Sequence, residues 1–232
     1  MSIHKDHRQR VKERFKTEGL DGFSDHQVLE LLLFYCIPRR DTNEIAHNLI
    51  NRFGTLSNVL DAPVKELEKV DGMGENAAVF INLLKELTRY YGINQVKNVE
   101  ILRTINDCGR YLVPFFRNLK NEAVYLLCLD AKCKVLSCRE VSKGSINATE
   151  ISLRKIIEIA MADNATSVIL AHNHPSGLAV PSPDDVSTTV KIAHALKLVD
   201  VVLCDHIVVA DEEFVSFVQS GKFDPKLDYS RI

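Results

Sequence analysis

Two histidines two residues apart, His172 and His174, stand at the end of an apolar, β-branched run, Ser167 to Ala171. Alternate side chains of a strand share a face. The pair therefore sets two imidazoles side by side, able to grip one metal ion. Pro175 and Gly177 stop the strand and turn the chain. Ser182-Pro183 reads as an N-cap followed by proline at the first helical position. Asp185 then falls in the first turn of a helix, where the turn can fold it back towards the histidines. Two imidazoles and a carboxylate suit a zinc ion with its fourth position open to water, the mark of a catalytic rather than a structural site. An ion so held lowers the pKa of water and makes it a nucleophile near neutral pH.

Such chemistry needs a carboxylate that handles protons without ligating the metal. Glu140, Glu150 and Glu158 lie upstream of the histidines. Glu158 falls on the polar side of its helix. Glu140 follows Leu136 and Cys138 at period two and shares their face of a strand. An inward carboxylate there is costly without a partner, which makes Glu140 a candidate general base and acid, although Val135 is apolar on the alternate parity and Glu150 stays open.

The elements that must position these residues follow from punctuation and periodicity. Residues 4–18 carry six Lys/Arg and three acids, a surface helix broken by Gly19 and Gly22. Ser24-Asp25-His26-Gln27 is a capping-box pattern opening a Leu-rich helix over about 25–36. A third helix, with Ile45, Ala46, Leu49 and Ile50 on one stripe, ends at Gly54. Short helices near 56–60 and 64–69 and a longer one over 75–91 follow. Between the last two, Val70-Asp71-Gly72-Met73-Gly74 permits a tight hairpin whose backbone N–H groups open a helix, a place suited to phosphate. Residues 1–99 carry 14 basic and 14 acidic side chains, so charge supplies no surplus for DNA. Gly92, Asn94 and Asn98 mark a hinge over about 92–101.

Beyond the hinge, strands and helices alternate, the pattern of a layered α/β or α+β domain. Strands are expected over 123–129, 134–141, 167–171, 200–204 and 207–210, and helices over 152–162 and 183–198. The organisation expected is a helical domain over 1–96 and a mixed-sheet domain over 101–232. The formal charge of −2 over 232 residues offers no strong field for nucleic acid or membrane. The longest apolar run, Val28 to Pro38, is interrupted by Glu30 and is too short to span a bilayer. The charged N-terminus lacks a signal-peptide core. Six scattered cysteines without a CxxC pair read as reduced thiols of a cytoplasmic protein.

His172-Asn173-His174-Pro175-Ser176-Gly177, followed by Pro181-Ser182 and Asp185, resembles the JAMM (MPN-type) zinc motif as carried by bacterial RadC proteins, and the likeness runs over roughly residues 5–230. The resemblance implies a small all-α, helix-hairpin-helix-like N-terminal domain and a JAMM/MPN, cytidine-deaminase-like mixed sheet with flanking helices. It implies Zn2+ on His172, His174 and Asp185, the spacing selecting Asp185 over Asp184. It supports Glu140, which runs into Lys143-Gly144-Ser145-Ile146-Asn147, as acid and base. It makes Ser176 an oxyanion donor, a sensible use of a hydroxyl. His206, in an Asp-His pair typical of these chains, reads as a core histidine or one supporting the site, not as a ligand. One departure is Leu153-Arg154-Lys155, where such chains commonly carry Pro-Arg-Glu. The implied activity is a zinc-dependent metallopeptidase- or isopeptidase-like hydrolase acting on a peptide or protein substrate. The alternatives are a DNA-associated repair or accessory module, reached through residues 1–96 with Gly72 and Gly74 at the phosphate, and a zinc scaffold without turnover.

Overall fold

A computed structural model describes residues 3–144 and 152–227. The chain divides into two compact units, residues 1–88 and 89–232. The first unit is helical: α1 (Ile3–Glu18), α2 (Asp25–Cys36), α3 (Asn43–Phe53), α4 (Leu56–Asp61), α5 (Val64–Leu67) and most of α6 (Glu75–Val96). Its core holds Leu29, Leu33, Leu49, Leu67 and Ile81, all fully buried. Local chemistry sets its breaks. Gln27 Oε1 accepts the Ser24 backbone N–H at the start of α2, and Gly54, at φ 88°, closes α3. Glu30 is buried but partnered, by His7 Nε2 at 2.8 Å and Asn43 Nδ2 at 3.2 Å. No helix among the described residues is long and apolar enough to cross a membrane.

The second unit is built on a five-stranded sheet ordered β2-β1-β3-β4-β5. The strands are β1 (Ala123–Leu129), β2 (Val135–Lys143), β3 (Ser167–Asn173), β4 (Val202–Ala210) and β5 (Glu213–Ser216). β3 and β4 are parallel and the other pairs antiparallel. Helices cover both faces, so β1 is buried along its whole length and is apolar throughout. On one face α8 (Leu153–Ala162) and α9 (Pro183–Lys197) pack Ile156 and Ile192 against Leu126, Leu170 and Val208. On the other, α7 (Ile105–Phe116) packs Leu112 and Phe115 against Leu127, Ile169 and Ile207.

Three elements differ from the sequence reading. α7 falls where periodicity marked no element, although Thr104 and Asp107 cap it reciprocally, at 3.1 and 2.9 Å. α6 runs through Gly92 and Asn94, the expected hinge. A Cβ at Gly92 would lie 3.0 Å from Arg117 Nη1 and 3.3 Å from Pro114 Cβ, so this glycine serves close packing rather than bending. β4 is one strand, not two. Its Asp205-His206 interruption is absorbed by a register shift against β3 at Val168/Ile169 and by side-chain partners for both residues.

Candidate functional site

β3 ends in His172, Asn173 and His174. Val168, Leu170 and His172 share the face that α8 and α9 cover. Asn173 points the other way and clamps the start of β1: its Oδ1 accepts the Ala123 N–H at 2.8 Å and its Nδ2 donates to the Asn121 carbonyl at 3.3 Å. His174 lies past the strand, but its N–H still donates to the Val209 carbonyl at 2.9 Å. The chain then turns through Pro175–Gly177, with Gly177 at φ 81°, and reaches α9.

Ser182 caps α9 as its spacing suggests. Its Oγ accepts the Asp185 N–H at 3.1 Å and donates to Asp185 Oδ2 at 2.6 Å, and its N–H donates to the same oxygen at 2.8 Å. The cap therefore fixes Asp185 from one side. Asp185 is buried and Asp184 exposed, so burial distinguishes two acids that sequence alone leaves adjacent.

The first turn of α9 brings Asp185 to the histidines. Asp185 Oδ1 is 3.4 Å from His172 Nε2, and Oδ2 is 3.7 Å from His174 Nε2. The two Nε2 atoms are 3.0 Å apart. His172, His174 and Asp185 each offer one ligand atom, all within 4.8 Å of one another, and form a group that could hold a metal ion. The donor set is consistent with that use. The Leu178 carbonyl, 3.0 Å from His174 Nδ1, has no proton to give, so Nδ1 carries one and Nε2 is the atom turned to the cluster. Burial holds the pKa of His172 well below the usual imidazole value, against the opposing pull of Asp185, and keeps this ring neutral.

Behind His172 lies His206, with its Nε2 2.8 Å from His172 Nδ1. His206 Nδ1 is 2.6 Å from Thr189 Oγ1, and that oxygen is 2.6 Å from the Asp185 backbone carbonyl. His206 is buried, and its ring stacks on Phe217 at 4.5 Å. Its neighbour Asp205 does structural work: it accepts from Ser216 Oγ at 2.5 Å, His206 N at 2.7 Å and Val218 N at 3.1 Å. Thr189 escaped the sequence reading. The available signal was its place one turn after Asp185 on the same helical face.

Other expected site residues fall elsewhere. Glu140 does share the face of Cys138, but that face packs on α7. Its strand register sets it opposite Tyr125, whose hydroxyl donates to Glu140 Oε2 at 3.2 Å. Tyr125 in turn packs on Phe115 and Phe116 of α7. His172 is on the opposite face, so the structure does not bring Glu140 to the cluster. The physical reason is the register: Cys138 opposes Leu127 and Glu140 opposes Tyr125, both on the α7 side, while Val141 turns to the α8 face. Glu158 pairs with Arg154 at 2.7 Å on exposed surface. Glu150 lies outside the described residues. Ser176 is exposed on the turn after His174. Lys155, at the departure from the Pro-Arg-Glu pattern, donates from Nζ to the Val141 carbonyl at 2.5 Å and ties α8 to β2. All six cysteines are free thiols.

In the first unit, Gly72 has φ 87°, and a Cβ there would lie 2.7 Å from Ile45 Cδ1. Backbone conformation and packing thus require glycine at this position. Gly74 has open space where a Cβ would stand and precedes the first turn of α6.

Two family models match the chain. The RadC-like JAB domain covers residues 102–222, and the UPF0758 N-terminal model covers residues 4–79. A UPF0758 protein of Fusobacterium nucleatum is 36% identical over 222 residues, spanning 93% of this chain and 96% of the relative. One from Alteromonas mediterranea is 32% identical over 92% of this chain and 95% of its own. One from Ruegeria pomeroyi is 30% identical over 95% and 98%.

Proposed function

Because the chain belongs to the RadC-like JAB-domain, or UPF0758, family, we propose that it is a zinc-dependent hydrolase of the metallopeptidase or isopeptidase type, acting on an amide-type bond of a peptide or protein in the cytoplasm. One observation carries the reading: His172 Nε2, His174 Nε2 and an Asp185 carboxylate oxygen converge within 4.8 Å at the end of a strand. Three protein ligands of this kind match the catalytic rather than the closed structural type of zinc site. Zinc held there supplies Lewis acidity and a source of nucleophilic water near neutral pH.

The chain's own groups prepare the place. His172 and His174 each turn Nε2 towards the cluster, and Asp185 contributes its carboxylate oxygens. The Ser182 cap keeps that carboxylate from rotating. Asn173 locks the end of β3 to β1, so the two imidazoles ride on a rigid edge. Ser176 stands two residues beyond His174 with its hydroxyl open to solvent, a donor for a developing oxyanion. Glu140 has no part in this scheme, because it sits across the sheet.

The test is metal content and turnover together. Purified full-length protein should bind about one zinc per chain by elemental analysis, in line with the one candidate centre among the described residues. His172→Ala should bind none, and stoichiometric zinc in that variant would end the assignment. Hydrolysis of a peptide mixture, read by mass spectrometry, should vanish with a chelator and return with zinc. Zinc binding without any cleavage would favour the scaffold alternative.

A further inference from the structure

The hydrogen bonds behind His172 have directions imposed by their donors and acceptors. The Asp185 backbone carbonyl carries no proton, so across 2.6 Å the Thr189 hydroxyl donates to it. A helical threonine commonly makes this bond one turn back. The hydroxyl has a single proton, so it can only accept from His206, 2.6 Å away. His206 therefore carries its proton on Nδ1. His206 is 1% exposed and stacked on Phe217. Its two ring nitrogens face Thr189 Oγ1 and His172 Nδ1, and neither partner is an anion that would hold a second proton on the ring. A neutral ring protonated at Nδ1 has a bare Nε2. At 2.8 Å that lone pair accepts a proton from His172 Nδ1. His172 is then left with its own bare Nε2, the atom that faces His174 and Asp185.

We propose that Thr189 and His206 are positioning residues: a relay from the Asp185 carbonyl through Thr189 and His206 fixes His172 in its Nδ1–H tautomer and aims its Nε2 lone pair at the metal position. This rests on reading the cluster as a metal site. Metal-ligating histidines usually hold their second nitrogen on a carboxylate, carbonyl or water. Here the acceptor at the end of the line is the main chain of Asp185, a member of the same cluster. Two ligands are thereby tied together behind the site, and no anion is added at the back of His172. His174 is held separately, its Nδ1–H donating to the Leu178 carbonyl.

Thr189→Val keeps the shape of the side chain and removes the hydroxyl. The His206 Nδ1–H then loses its acceptor. Moving that proton to Nε2 points it at His172, whose own proton must shift to its Nε2 and block the ligand lone pair. The experiment uses the full chain in two readouts: nitrogen-15 NMR of the histidine rings in metal-free protein, and zinc affinity by competition with a chromophoric chelator. Wild type should show Nδ1–H on both His172 and His206. Thr189→Val should show Nε2–H on His172 and bind zinc about 10–100-fold more weakly, the usual loss when a partner behind a ligand is removed. Thr189→Ser should restore both.

A Thr189→Val protein with the wild-type tautomer and zinc affinity within about twofold, rather than the loss expected of a partner behind a ligand, would overturn the relay. If wild type binds no zinc, the metal reading fails, and the tautomers of the metal-free protein still judge the relay. Should Thr189→Val fail to fold, His206→Gln and His206→Leu ask the same question. The glutamine amide oxygen can accept the His172 proton and should keep the tautomer; leucine cannot and should lose it. Equal tautomers in the two would reject the proposal.

Discussion

Acid should weaken the metal-free second unit through two histidines held neutral by burial. His172 and His206 are 6% and 1% exposed, and both have pKa values depressed below 6.5 by loss of solvation. Above pH 6.5 native and unfolded chains are alike in leaving them unprotonated. Below it, the unfolded chain takes up two protons that the native state refuses, so stability is full above 6.5 and falls as the pH drops towards the depressed values. Each such proton is worth about 1.4 kcal/mol per pH unit, so the pair removes about 2.5 kcal/mol between pH 6 and pH 5. Burial raises the pKa of Asp205, which titrates in the opposite sense, so His206→Gln is the control: it should halve the slope. Urea unfolding of chelator-treated protein, followed by the methyl resonances of Ile169 and Leu170 in β3, measures the effect. A flat profile from pH 8 to pH 5 would refute the picture of two buried neutral rings. Added zinc should raise stability at pH 7 and steepen the acid limb, because protons and metal compete for the same nitrogens.

Glu140→Gln should leave zinc content and hydrolysis within about twofold of wild type, whereas loss of a true general base costs about 100- to 10,000-fold; a loss in that range would return Glu140 to the mechanism. Gly109→Ala places a Cβ 2.3 Å from the Phe214 ring. Helix propensity favours alanine by about 1 kcal/mol and overpacking costs about 1–3, so a fall in melting temperature is expected, and a rise would show that Phe214 moves freely. Gly72→Ala should destabilise the first unit by about 1–3 kcal/mol, from its left-handed backbone and the Ile45 contact, without changing zinc content. Duplex DNA binding, followed by anisotropy, should be weak and only shallowly salt-dependent, since basic and acidic residues balance over residues 1–99; a steep slope would favour the DNA-associated alternative.

Much of the site was legible from local rules. His172 and His174 share a side because strands alternate, and Asp185 turns inward because Ser182-Pro183 starts a helix three residues before it. The cap that sets this geometry is itself local, since Ser182 and Asp185 bond each other. Such features depend on neighbours within a turn, which sequence records directly.

The remainder depended on partners distant in the chain. Parity placed Glu140 with Cys138, but only the register of β1 on β2 decided that their side of the sheet faces α7. Gly92 looked like a bend until α7 packed against it. Asp205 and His206 looked like a break in β4, yet a strand accommodates them once Ser216, Thr189 and His172 supply their hydrogen bonds. Polar groups inside a sheet cost free energy unless paired, and here the partners stand 11 to 34 residues away. The chain's amino-acid order by itself determined which residues could bind a metal. Only the three-dimensional packing decided which nitrogen of each ring is free to do so, because a proton's position is set by the acceptor across the fold and not by the residue beside it.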